Sequence, residues 1–173
     1  MKKHRINVLL DWQSIDKDVQ DKAYRMTRLT KLGVQDETQA DKVEHELTLS
    51  DEDMNMLRRA LTQGLAEVIT MCREYVWSKS HSSDNYIFKE ENITIVLMMP
   101  LNYNLAGNLS LGKMIHKYIV GTAMLEWFRY TVPARAAEQQ TICDQARKEI
   151  LTIINARVRS MRDGESLTVI VEE

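Results

Sequence analysis

Residues 108–130 read NLSLGKMIHKYIVGTAMLEWFRY, and after Pro133 the chain resumes over 134–161 as ARAAEQQTICDQARKEILTIINARVRSM. Both stretches are free of proline and long enough for several helical turns, the first rich in aliphatic and aromatic residues and the second much more polar. In the first, Leu111, Met114, Ile115, Tyr118, Ile119, Thr122, Leu125 and Trp127 or Phe128 cover a wide face, which predicts a helix from Asn108 or Ser110 with neighbours on more than one side. In the second, Pro133 suits a first helical turn, where its missing N–H leaves nothing unpaired. Its inward candidates are Ala137, Ile142, Cys143, Ala146, Ile150, Ile153 or Ile154, and Val158. The pair reads as a helical hairpin whose corner carries Trp127, Phe128 and Tyr130.

Upstream, Met54, Leu57, Leu61, Leu65, Val68, Ile69, Cys72 and Val76 continue a 3.6-residue stripe for about seven turns, with Gly64 inside it at a cost of about 1 kcal/mol against alanine. Ser50 and Asp53 stand as N-cap and N3 acid at the start of this helix, and Leu49 with Met54 can form a hydrophobic staple. The segment before it is polar: from Gln35 to Asp53 eight acids stand against Lys42. This predicts an exposed acidic connection at about 33–49. An earlier helix is expected over about Ile15 to Leu32, with Ser14 as cap and Gly33 as stop. Arg5 to Asp11, short, β-branched and bounded by charge, predicts a first strand.

Ser78 to Asn85 is small and polar, a loop by composition. Tyr86-Ile87-Phe88 and Ile93 to Met98 flank Lys89-Glu90-Glu91-Asn92, which suggests an antiparallel hairpin turning near Glu91-Asn92 or one strand bent there. Pro100 closes the second strand because it lacks the N–H that a ladder needs. Leu167 to Val171 alternates and predicts a final strand. The expected fold is therefore α+β and predominantly helical: four helices packed beside a small antiparallel sheet made of the N-terminal strand, the central hairpin and the C-terminal strand. No Pro-Gly-rich linker or repeat divides residues 1–173, so a single domain is expected.

Composition agrees with this frame. A chain of 173 residues buries about 70% of its unfolded surface in one core. Apolar content of 44%, charged content of 28% and a formal net charge of −2 match a globular protein with no wholesale electrostatic role. The apolar run after the basic Met1-Lys2-Lys3-His4-Arg5 stops at Asp11, too short for a signal sequence or membrane span, which makes a cytoplasmic protein with no membrane contact the default. Cys72 and Cys143 stand far apart and read as small buried hydrophobes rather than as a metal or disulfide motif.

Little in the pattern suggests catalysis, a cofactor or a metal. His4, His45, His81 and His116 are scattered, with no His-x-x-x-His or Glu-x-x-His pair. Flanked by Glu44 and Glu46, His45 is better read as solvated than as a ligand, and His116 as a helix residue rather than a base. Asp51-Glu52-Asp53 lacks the interleaved ligands and central glycine of a calcium loop, and helix capping explains it. Serine, histidine and aspartate occur together in the 78–85 loop, too close in sequence for triad geometry, and Gly107 and Gly112 lack the neighbours of a phosphate loop. Enzyme activity is not expected. Two interaction features remain. Arg157, Arg159 and Arg162, with Arg147 and Lys148 upstream, form a basic end that opposes the helix dipole and offers an alternative nucleic-acid or regulatory contact. Trp127, Phe128 and Tyr130 cover more than one face of a helix end; core packing explains most of them, and a subunit-interface anchor is the sharper reading.

Val8-Leu9-Leu10-Asp11-Trp12, then Ile93 to Pro100, then Tyr118-Ile119-Val120 with Leu125-Glu126-Trp127-Phe128, then Arg157-Val158-Arg159, resemble in their order small proteins of prophage structural modules in gut bacteria. Such proteins are similar in size and element order to head-tail connector or completion proteins, and the leading strand is where this chain departs from helix-first connectors. The resemblance implies a non-enzymatic virion assembly protein of a bacterial host, cytoplasmic or in the virion. Its implied partners are portal, capsid or tail proteins, or further copies of itself in a ring. Nucleic acid is the less favoured partner.

Overall fold

The computed structural model describes residues 3–32, 51–77 and 92–158, of which 27–32 and 51–52 are described by backbone alone. Strand β1 (Lys3–Leu10) leads into helix α1 (Trp12–Leu32), and helix α2 (Asp51–Met71) is followed by strand β2 (Ile93–Pro100). A 3-10 turn (Leu105–Gly107) then opens helix α3 (Asn108–Thr131), and helix α4 (Pro133–Asn155) follows it directly. The architecture is α+β and predominantly helical, with a small antiparallel sheet. The expected acidic connection, the first strand of the hairpin and the C-terminal strand all lie outside the described residues.

The sheet pairs β1 antiparallel to β2, Lys3 opposite Pro100 and Leu10 opposite Ile93. Alternation decides which face meets the helices: Ile6, Val8 and Leu10 of β1 are buried with Ile95, Leu97 and Met99 of β2, while Arg5, Asn7 and Leu9 face outward. On the far edge of β2 the neighbour is the chain just after α2. Trp77 N donates to Val96 O at 2.9 Å and Met98 N donates to Tyr75 O at 2.7 Å. Val76, expected as the last member of the α2 stripe, is therefore not helical. The helix stops at Met71 because the next residues satisfy the backbone groups of β2, with Val76 bridging Leu97.

Helix α1 starts earlier than Ile15. Asp11, not Ser14, caps it: the Asp11 carboxylate accepts from Gln13 N at 3.2 Å and its carbonyl from Ile15 N at 3.1 Å. Trp12, Ile15, Val19 and Ala23 then face the core.

Helix α3 is the centre of the molecule, with α1, α2, α4 and β1 all packed on it. Leu111, Ile115, Ile119, Val120, Ala123 and Met124 are buried right round its circumference, so its apolar residues form no single stripe. Two glycines allow the close approaches. A Cβ on Gly64 of α2 would stand 3.4 Å from Ile119 Cα of α3. One on Gly121 of α3 would stand 3.0 Å from Cys143 Sγ of α4. The cost of Gly64 in a helix is thus offset by backbone-to-backbone packing.

The turn between α3 and α4 is one residue, Val132, at φ −137° and ψ 72°, with Pro133 in the first turn of α4 as expected. The buried face of α4 is Gln139, Cys143, Ala146, Ile150 and Ile154. Ala137 and Ile142, expected inside, are exposed. The register is set by Gln139, whose Nε2 donates to Gly121 O at 3.1 Å and so brings a polar residue into the helix contact. Helix α4 ends at Asn155 rather than Met161 because side chains and a strand-like pairing take over there. Asn155 Nδ2 donates to Leu151 O at 2.9 Å, and Arg157 donates to Ile154 O and Ala156 O. Val158 N donates to Asn102 O at 2.7 Å.

Candidate functional site

Successive helical residues point about 100° apart, so the corner of the α3–α4 hairpin sends its three aromatics to different places. Trp127 is 1% exposed and belongs to the core; Phe128 is 6% exposed, with its ring centroid 5.4 Å from that of Trp127. These two hold the corner together. Tyr130, in the last turn of α3, is 72% exposed. Of the three aromatics, Tyr130 is the one open to a partner, and the interface-anchor reading does not apply to Trp127 in this conformation.

A groove lies on either side of this corner. On the α2 side, Tyr130 and Glu126 border a cleft of about 470 Å3 with Asn55, Met56, Arg59 and Gln63. Glu126 is paired with Arg129 at 2.9 Å. On the α1 side, a smaller cleft of about 280 Å3 is floored by Met26, Met124, Phe128 and Ile142 and rimmed by Lys22, Arg25, Arg135 and Glu138. Arg135 is bound to Glu138 at 3.0 Å. Lys22 is exposed as a residue, yet partial burial of its amine lowers its pKa against an upward pull from Asp18. Ile142, the residue that the inward register leaves outside, thereby lines the cleft.

The basic end divides. Arg157 is committed within the fold: besides the carbonyls of Ile154 and Ala156, it donates to Tyr75 Oη at 2.7 Å and lies over the Tyr75 ring, while its backbone bridges Tyr103. It ties the end of α4 to the segment beside β2. Arg159 and Arg162 lie outside the described residues. Arg147 faces a third cleft, of about 640 Å3, between α2 and α4, whose wall includes Glu67, Arg73, Tyr118 and Leu151. There Tyr118 donates its hydroxyl to the Glu67 carboxylate, and burial, then Glu67, raises the tyrosine's pKa. That hydroxyl stays protonated and engaged.

The other polar residues singled out in the sequence have structural partners. His116 of α3 is 2.8 Å from Asp18 of α1, an inter-helix pair invisible to local spacing. Burial raises the pKa of both Cys72 and Cys143, as fits small core residues. His45 and His81 lie outside the described residues. Among the described residues there is no group of three potential metal ligands and no helix long and apolar enough to cross a membrane. The corner presents an exposed phenol on one side and, on the other, an apolar cleft edged with cations.

Compared with known proteins, the chain matches no family model, no curated protein and no solved structure.

Sequence reasoning missed the α1-side cleft because its walls come from three helices. The available signal was Ile142, an isoleucine one position off the buried 139–143–146–150 series.

Proposed function

We propose that this chain is a non-enzymatic virion assembly protein of head-tail connector or adaptor type, meeting its partners at the α3–α4 corner. The observation that carries the contact is the exposure of Tyr130 at 72%. It is a large aromatic beside a groove on an otherwise well-packed helix end, and such residues dominate binding energy at protein interfaces. The virion setting rests on the sequence resemblance, and the geometry supports the coarser part, a contact surface on a rigid helical scaffold. Portal, capsid or tail proteins, or a ring of like copies, are the partners proposed. The alternative, nucleic-acid binding through Arg157, Arg159 and Arg162, is less well supported because Arg157 spends its guanidinium inside the fold.

The test is affinity capture of the tagged protein from its native host before and after prophage induction, with partners identified by mass spectrometry. Portal, capsid or tail proteins should appear after induction and be lost with Tyr130→Asp, a variant that should keep the parent's thermal midpoint. Recovery of chromosomal proteins or DNA alone, or the same virion partners with Tyr130→Asp, would overturn the proposal.

A further inference from the structure

We infer that the cleft between α1 and the α3–α4 corner seats a large apolar side chain from an acidic segment of a partner protein. This rests on the reading of the corner as a contact surface and names what one side of it recognises.

Three observations lead there. The first is size: a cleft of about 280 Å3 falls just below the range of about 300–1,000 Å3 in which whole small molecules are enclosed. It suits a single inserted side chain. The second is the distribution of polarity. Met26, Met124, Phe128 and Ile142 supply the apolar lining, and the buried Gln139 amide is engaged with Gly121 O. The charged members are exposed side chains, placed to meet the residues flanking an inserted anchor rather than the anchor itself.

The third is charge balance. The rim holds Lys22, Arg25 and Arg135 against Glu138, and Glu138 is taken by Arg135 at 3.0 Å. Among the described residues Lys22 and Arg25 make no hydrogen bond or ion pair; Asp18 attracts Lys22 through space but is itself bound to His116 at 2.8 Å. Among the described lining residues the rim therefore carries an excess of positive charge beside an apolar seat. Complementary charge across such a rim steers encounter and selects against basic partners. Ile142, at 38% exposed, gains burial only when something occupies the seat.

The experiment uses the full chain and three fluorescein-labelled octapeptides in an anisotropy titration: Glu-Asp-Glu-Leu-Phe-Asp-Glu-Asp, the same peptide with Ser-Ser at its centre, and Leu-Phe flanked by lysines. The acidic Leu-Phe peptide should bind, weaken as salt is raised, and bind at least tenfold more tightly than either control. Ile142→Asp and the double variant Lys22→Glu, Arg25→Glu should each reduce its affinity at least tenfold. All three positions are exposed, so thermal midpoints should stay at the parent value; should Ile142→Asp unfold, the rim variant decides alone. Absence of binding, equal binding of the lysine peptide, or affinity unchanged in the rim variant would overturn the inference. So would saturable binding of decanoate at the cleft with no peptide binding, which would assign the seat to a small amphiphile. Peptide binding without virion partners in the capture experiment would leave the seat standing and remove the virion reading. Virion partners without peptide binding would do the reverse.

Discussion

Replacing Gly121 by alanine sets two known effects against each other at one contact. In a helix interior alanine is favoured over glycine by about 1 kcal/mol. The added methyl would stand 3.0 Å from Cys143 Sγ and 3.3 Å from Gln139 Nε2, both tighter than ordinary contact. Overpacking of this kind costs about 1–3 kcal/mol. The bond from Gln139 Nε2 to Gly121 O, 3.1 Å long, is worth about 1 kcal/mol and would be strained by the same methyl. The net expectation is a loss of about 1–2 kcal/mol from these opposing terms. Cys143→Ala removes the closer obstacle at its own cost of about 1 kcal/mol for a small cavity. In that background Gly121→Ala should be nearly neutral or gain a few tenths, giving a coupling of about 1–2 kcal/mol between the two sites. Urea unfolding of the parent, both single variants and the double variant, followed by circular dichroism, measures all four corners of the cycle. Additivity within about 0.5 kcal/mol, or a gain of the full propensity term from Gly121→Ala alone, would refute the picture of α3 and α4 in contact at this glycine.

Two further outcomes follow from buried groups. Tyr103 is 2% exposed and its hydroxyl has no hydrogen-bond partner among the described residues, so Tyr103→Phe should raise stability by up to about 1 kcal/mol, whereas a loss of that size in urea titration would show the hydroxyl to be paired. Burial holds the Cys72 thiol at about 11 against an ordinary 9.0. The unfolded chain then loses this proton first, so the stabilising preference is complete below pH 9 and is lost as pH rises toward 11. Unfolding free energy should fall across that window and fall less steeply in Cys72→Ala; parallel profiles for the two proteins would refute this.

Helical periodicity located α2, α3 and α4 because each carries many apolar residues at recurring spacing, and Pro133 marked the start of α4. The errors occur where a competing partner, local in one case and distant in the others, overrides the residue that the pattern favours. Ser14 looked like a cap, but Asp11, directly after the strand, captures Gln13 N first. Val76 fitted the α2 stripe, yet the open edge of β2 draws it into a bridge with Leu97. The polar Gln139 is buried and the apolar Ile142 exposed because a carbonyl across the helix contact, that of Gly121, rewards an amide at that position. The candidate site was legible in part. Its aromatics were visible, but a rim joining Lys22 to Arg135 requires the fold, as does the capture of Arg157 by Tyr75.

The pairing of β1 with β2 also sets a timetable for synthesis. Ile6 is opposite Leu97, and at about 5–20 residues per second a ribosome needs roughly 5–20 s to add the residues between them. Throughout that interval the nascent chain carries an apolar strand without β2, its mate among the described residues. The outward positions of this strand include Lys3, Arg5 and Asn7, side chains that discourage edge-to-edge association with another nascent chain. Their value is thus greatest before the protein is finished, during the seconds in which Ile6, Val8 and Leu10 wait for β2 to emerge.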